Sequence, residues 1–385
     1  MQNSSSPVSQ DIDIRTVNKR NEIKEFINVP WHIYGDDPAW VAPLKLERRL
    51  HFSSFNPFFK HGSWQGWIAY QNGRPVGRIG AQVDQLHRET YGANTGHFGL
   101  IEAIENADVF AALLNSAEKW LKERGATKIT GPFGFSLNQE CGLLVDGFQH
   151  PPVLMMPHSR SWYGEMLEQQ GYSGAQDLLA YWVNVDFEAP PIMERLLRRY
   201  QSKIKLRTLN RKRFAEEMEL LRDLFNDAWS ENWGFVPFTK AEFAELGTSL
   251  RVLVPDELIQ IAEIDGEAVA FIAALPNLNE VIKDLNGSLF PFGLLKIIQR
   301  VRKRQITTGR IPLMGIRKKF QKQAIGSALT FFIVDAVRHR LFDLGILEVE
   351  MSWILETNNG VRGFLESVVG CDIYKRYRLY QKTLN

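Results

Sequence analysis

Cysteine is nearly absent. Cys141 and Cys371 are the only two in 385 residues, too few for a disulfide framework or a thiolate zinc site, so a reducing, cytoplasmic setting is expected. No uninterrupted apolar run reaches the roughly 18 residues that a membrane-crossing helix needs. Net charge of one sign is also missing. The 46 Lys and Arg against 44 Asp and Glu leave +2, so no global field points to nucleic acid as a partner. Histidines are sparse, and His97 and His158 stand at no metal-ligand spacing with other candidates, so no metal is expected. The opening MQNSSSPVSQD lacks the apolar segment of a targeting signal, and residues 1–10 read as a disordered tail.

What is present is a mixed α/β pattern written twice. In the first half, Asp11 to Val17 alternates as a strand and Glu22 to Asn28 reads as a short helix. Two alternating strands flank Asn72-Gly73, a strong hairpin signal. Thr95 to Ile104 is a strand, Ala107 to Arg124 has apolar residues at helical spacing, and Leu178 to Val185 is the last strand. The paired prolines of Ala189-Pro190-Pro191 interrupt both helix and sheet. They divide the chain into 11–188 and 192–385. The second half repeats the order: strand, helices, a hairpin around Asp265-Gly266, strand, long helix, strand, short helix, strand. The fold class expected is therefore two tandem α/β units, each a mixed, mostly antiparallel sheet flanked by helices.

The most informative stretch runs from Arg310 to Glu356. An apolar strand, Ile311 to Ile316, feeds a turn carrying Lys318, Lys319 and Lys322, and a long apolar helix starts near Ile325. First-turn N–H groups have no partner within a helix and the dipole there is positive, so this turn can hold an anion. The alternative is an ordinary β-α-β unit with a basic rim. The matching helix of the first half opens Glu105-Asn106-Ala107-Asp108, acidic and without a glycine turn, and should repel a phosphate group.

Gln321, Ala324 and Gly326 open the long helix as Q-x-x-small-x-Gly, and Asn358 or Asn359 precedes Gly370 by about a dozen residues. In this order of elements the chain resembles the GNAT acyltransferases, although Ala324 stands where the family has its first glycine, which suits only a negative φ. Three stretches resemble more specifically a family of tandem GNAT-like proteins that includes bacterial ceramide synthases: TGPFGFSLNQECGLLVDGF (130–148), SWILETNN (352–359) and YKRYRLYQKTL (374–384). The resemblance implies transfer of an acyl group from acyl-coenzyme A, as co-substrate, to an amine acceptor. The fatty-acyl, sphingoid-type amine is one option inside that class and a small amine with acetyl-CoA another. A sensor or scaffold that has lost the chemistry is the option from a different class.

The resemblance also distributes roles. Ile316, Gln321, Lys322, Gln323, Ala324, Ile325, Gly326 and Ser327 would surround the coenzyme A pyrophosphate. Asn358 would bond the cofactor or simply cap the next helix. Glu356, at the end of the strand that borders the reaction centre, would accept the amine proton, or else be a solvated or capping glutamate. Any of Tyr374, Tyr377 and Tyr380 could protonate the leaving thiolate or simply pack in a strand, and Tyr377 is the residue chosen for the acid. Tyrosines 374 and 380 are expected on one face of the last strand and Tyr377 on the other. In the first half, Asn138 and Glu140 would line an acceptor pocket or belong to a covering loop. Finally, residues 276–310 replace what is usually a short turn in GNAT-like folds. Within it Leu294, Leu295, Ile298 and Val301 recur at helical spacing beside Lys296, Arg300, Arg302, Lys303 and Arg304. This segment, 289–304, reads as a peripheral contact with an anionic membrane, as a lid over an acyl chain, or as a packed helix with a solvated basic end.

Overall fold

The computed structural model describes residues 12–251 and 253–384. The first half contains strands β1 (Ile12–Val17), β2 (Gly62–Gln71), β3 (Arg74–Asp84), β4 (Thr95–Ala103), β5 (Lys128–Gly131), β6 (Leu143–Asp146) and β7 (Ser173–Asn184). Its helices are α1 (Arg20–Ile33), α2 (Lys45–His51), α3 (Gln85–Tyr91), α4 (Ala107–Lys122) and α5 (Tyr163–Gln169). In the second half the helices are α6 (Pro191–Tyr200), α7 (Phe214–Trp229), α8 (Lys240–Leu250), α9 (Asn279–Ile282), α10 (Gly293–Arg302), α11 (Lys318–Gln321), α12 (Ala324–Asp343) and α13 (Asn359–Gly363). Strands β8 (Ile204–Thr208), β9 (Ile259–Ile264), β10 (Glu267–Pro276), β11 (Thr308–Ile316), β12 (Glu348–Leu355) and β13 (Ile373–Thr383) complete it.

The two halves share one sheet, in the order β1-β2-β3-β4-β5-β13-β7-β12-β11-β10-β9-β8, with β6 on β13. The last strand of each half crosses over. β13 lies between β5 and β7, and β7 pairs with β12. The prolines at 189–191 thus separate the halves in sequence, while hydrogen bonding joins them. Pro191 opens α6 at its first turn, where a missing N–H costs nothing. Only β4–β5 and β11–β12 run parallel; the other named pairings are antiparallel.

Local chemistry explains the repeated parts. Both hairpins turn on two residues with positive φ, Asn72-Gly73 at 51° and 74° and Asp265-Gly266 at 51° and 82°, the geometry that matches strand twist. Both long helices stop at a left-handed glycine, Gly125 or Gly345, after which the next N–H reaches back to the carbonyl of Leu121 or Leu341. α4 buries Val109, Phe110, Leu113 and Leu121 against the first half of the sheet, and α12 buries Leu329, Ile333, Val337 and Leu341 against the second. Each such side chain contributes about 1.5–3 kcal/mol, so a single charge at Ile333 would break that packing. Helix α1 runs further than expected, through Pro30 to Ile33, because its buried face continues past the proline. Between the halves, the His61 imidazole sits 2.9 Å from Asp84 and 3.1 Å from Glu242 on α8.

Candidate active site

Strands β11 and β12 are paired only from Thr308–Glu348 to Ile311–Met351. Pro312 follows, with no N–H to offer. From there β11 stays with β10 as far as Ile316 and β12 stays with β7 as far as Leu355. The sheet is therefore forked, and the fork's vertex carries a group of buried polar side chains.

Arg310, Glu350, Ser352, Lys375 and Tyr377 are each at most 3 % exposed there. Ser352 Oγ donates to Glu350 Oε1 at 2.5 Å, and Tyr374 Oη donates to Glu350 Oε2. Arg310 Nε donates to Ser352 Oγ at 3.0 Å, and its other nitrogens reach the carbonyls of Leu154, Met155 and Ser352 at 3.2–3.3 Å. The guanidinium lies 4.6 Å from the Trp353 ring. Lys375 Nζ donates to Pro151 O at 2.8 Å. Burial pushes the Lys375 ammonium down to about 8, against the pull of Glu350. Burial also raises the Tyr374 and Tyr377 hydroxyls, and the charge of Glu350 adds to both. The Tyr377 hydroxyl and the Trp353 indole N–H are buried without a hydrogen-bond partner among the described residues. Ionised groups taken out of water cost several kcal/mol each unless matched, so such a cluster is a candidate for chemistry.

An apolar cavity of about 110 Å³ ends on this cluster. Its floor is Phe271, Ala273 and Leu275 of β10; its roof is α7 and α8, with Phe225, Phe243 and Leu246; Arg310 and Trp353 close one side. Alternation along β10 explains the arrangement, because Ala270, Ile272 and Ala274 turn to the opposite face and pack with α12.

At the fork's open end lies the turn singled out in the sequence. Ala324 is the first residue of right-handed helix α12 and is not among the positive-φ residues, so alanine fits where glycine was expected. Gly326 is required by close approach: a Cβ there would lie 2.2 Å from Phe320 O. Gln321 is structural, its Nε2 donating to Ala228 O and Ile316 O at 3.0 and 2.8 Å. The N-cap side chain of Gln323 turns back to Lys319 O, and no side chain caps α12. The Gly326 N–H bonds Gln323 O at 2.9 Å, which leaves the N–H groups of Ala324 and Ile325 at the helix start to suit an anion. Lys318 and Lys319 are matched by Glu231 and Glu267. Lys322 has no ion pair among the described residues, and it is exposed, as are Ala324 and Ser327; Ile325 is half-buried.

The other expected residues are dispersed. Glu356 is held on β7, its Oε1 accepting from the Asp177 N–H at 3.2 Å and from Gln176 at 3.3 Å; it does not line the cavity. Asn358 caps α13, accepting from the Val361 N–H at 3.2 Å. Asn138 lines the cavity and donates to Val236 O of the other half at 3.0 Å. Glu140 is paired with Arg48; burial raises its carboxyl and Arg48 more than reverses this, leaving it below the usual range. The expectation for the tyrosines needs correction. A register shift between Ile373 and Lys375 brings Tyr374 and Tyr377 into one cluster, while Tyr380 joins the first-half core. Burial raises the Cys141 thiol, Glu140 adding only a lesser push. Glu350 and Arg310 were not singled out in the sequence. Glu348, Val349, Glu350 and Met351 look like a strand with one wet face, but β12 is central and both faces are covered at Glu350.

The parallel pair of the first half is closed by contrast. After β5 the chain turns back, the Phe133 N–H bonding Phe98 O at 2.9 Å, so close that a Cβ at Gly99 would lie 1.6 Å from Phe133 O. Asn106 caps α4, accepting from the N–H groups of Asp108 and Val109.

Among the described residues no group of three or more His, Cys, Asp or Glu is arranged to hold a metal, and no helix is long and apolar enough to cross a membrane. No family model matches the sequence. A tandem GNAT protein from the clavulanic acid biosynthesis pathway superposes with a TM-score of 0.56 at 12% identity, over 97% of this chain and 99% of its own. A GCN5-related N-acetyltransferase from Sphaerobacter thermophilus gives 0.52 at 14% identity, over 97% and 96%. These likenesses establish the fold. In sequence, Protein YghO of Escherichia coli (strain K12) is 50% identical over 372 residues, 96% of this chain and 95% of that protein. The bacterial ceramide synthase of Caulobacter vibrioides (strain NA1000 / CB15N) is 42% identical over 377 residues, 97% and 98% of the two chains. Forked sheet, tandem halves and near-complete coverage agree: the chain is an acyltransferase of the tandem GNAT-fold family to which the bacterial ceramide synthase belongs.

Proposed function

We propose that the second-half fork transfers a long-chain acyl group from acyl-coenzyme A to a lipid amine of the sphingoid type. The observation that carries this reading is the apolar cavity ending on Arg310 and Trp353, next to a buried carboxylate with two hydroxyl donors. The uncapped start of α12, with Lys322, suits the coenzyme A pyrophosphate, and the fork between Pro312 and Ile316 leads from there to the cluster. A cavity lined by Phe271, Leu275 and Phe243 rewards a hydrocarbon chain and offers a small polar acceptor little. The name of the Caulobacter relative agrees with such a substrate.

Amine acylation forms a C–N bond, breaks the C–S bond of the thioester and moves one proton from nitrogen to sulfur or solvent. Glu350 takes the amine proton through Tyr374 or Ser352, which already bridge to its two oxygens. The fixed charge of Arg310 favours the negative charge that develops on the carbonyl oxygen. The Tyr377 hydroxyl, free of protein partners, protonates the departing thiolate. Glu356 has no part in this scheme because its carboxylate is committed to β7.

The test is to incubate the purified protein with palmitoyl-CoA or acetyl-CoA and a panel of long-chain amino alcohols and small amines, reading thiol release and amide mass. Long-chain amide from the pair of lipid substrates is expected. Acetylation of small amines in preference would overturn the substrate class, and no thiol release above buffer with any pair would overturn the activity.

A further inference from the structure

The insertion between β10 and β11 carries its apolar residues on the outside. Phe290, Phe292 and Leu295 are 75 %, 66 % and 63 % exposed, and Leu294, Ile298 and Val301 are exposed as well. Within α10 only Gly293 is buried, while Ile297 packs inward on Val281, Ile282, Leu285 and Ile306. The outward face is held rigidly on the body of the protein. Arg300 binds Asp284 and the Val281 carbonyl, Trp31 of the first half donates to Asn286 Oδ1 at 2.7 Å, and the Lys45 N–H bonds Gly287 O at 2.9 Å. α2, which begins at that last contact, exposes Leu46 and Leu50. A water-facing surface gains nothing from this pattern, and a group of large apolar residues on one rigid element marks an interaction site.

The charges identify the partner. Asp284 is matched by Arg300 and Lys296. Arg302 and Lys303, at the end of α10, form no ion pair among the described residues and are exposed. A second copy of the chain would bring the same cations, while the acids at this face, Asp284 and Glu47, are already paired with Arg300, Lys296 and Arg48. A bilayer of anionic lipid supplies both complements: headgroups for the cations and an acyl boundary for the phenylalanines and leucines. We propose that α10, with residues 290–292 before it, lies in the plane of an anionic membrane surface and docks the enzyme there without crossing it.

The same insertion touches the reaction centre, since Asn277 accepts from the Leu154 N–H and Asn279 donates to Pro152 O. Leu154 in turn accepts from Arg310 through its carbonyl. Membrane docking would therefore place the cluster close to the surface from which a lipid amine must come.

Flotation of the full chain with vesicles tests this without either substrate. Wild type should float with phosphatidylcholine vesicles containing about one-third phosphatidylglycerol and far less with phosphatidylcholine alone. The exposed pair Leu295→Glu with Ile298→Glu should lose binding about tenfold or more, and Arg302→Gln with Lys303→Gln should lose the anionic increment only. Both variants should keep the wild-type melting temperature. Failure of wild type to float with anionic vesicles, or unchanged flotation of the Leu295/Ile298 variant, would overturn the proposal. So would a wild-type dimer that this variant converts to monomer, because it would make the face a protein interface.

Discussion

Two parallel strand pairs sit in corresponding places of one sheet, and they have been put to opposite uses. At β11–β12 a proline ends the pairing, the strands part, and the long helix α12 starts without a side-chain cap. At β4–β5 the chain folds back through Phe133 onto Phe98 and the next helix is capped by Asn106. The difference comes from a few residues, Pro312 against Gly99 and Gln323 against Asn106, acting on the same strand-helix-strand frame. A duplicated unit thus provides a site in one copy and a wall for that site in the other: Leu137 and Asn138, from the loop that closes the first fork, line the cavity of the second.

The comparison can be broken most severely at the vertex. Glu350→Gln keeps the shape but offers one acceptor where the carboxylate accepts on both oxygens, and it cannot hold the proton; kcat should fall about 100- to 10,000-fold with little change in KM. Steady-state kinetics beside Glu356→Gln, which should stay near wild type, separate the two carboxylates. Next in size is the cavity. Ala273→Phe fills the space beside Arg310 and should cut kcat/KM for palmitoyl-CoA about 10- to 100-fold more than for acetyl-CoA.

The seam between the halves should respond to pH. Burial disfavours the charged imidazole of His61, but its bonds to Asp84 and Glu242 outweigh this and hold it up to about 9. A raised folded-state value means the stabilisation is full below about 6.5 and is lost as pH rises through about 9. The upper bound is about 3 kcal/mol. Denaturant titration of His61→Gln should show a deficit at pH 6 that shrinks towards pH 10; a constant deficit would assign the residue to packing alone. The smallest effect concerns the helix starts. Lys322→Gln should weaken coenzyme A binding roughly two- to fivefold at low salt, while Asp108→Asn, at the capped helix, should leave it unchanged by calorimetry.

Much of this frame is legible in the sequence because it rests on local signals. Asn72-Gly73 and Asp265-Gly266 dictate their hairpins, and Gly125 and Gly345 end their helices. The stretch from Ile311 to Ile325 announces a strand and a basic turn at a helix start by residue type alone. The exchange of β7 and β13 is not legible, since nothing local tells a strand which half it will pair with. The candidate cluster around Glu350 is hidden for a related reason. Glu350 alternates with apolar neighbours like any half-wet strand, and only the burial of β12 between β7 and β11 makes its charge unusual. Strict alternation sets Tyr374 opposite Tyr377, but one register shift in the pairing with β7 inverts it.

The central claim, one open fork and one closed, is tested most directly by hydrogen–deuterium exchange of the full chain with and without saturating coenzyme A. The account predicts slowed exchange in 312–327 and 352–355 and no change in 98–108 or 131–142. Protection at the first-half fork, alone or equal to that at the second, would contradict it.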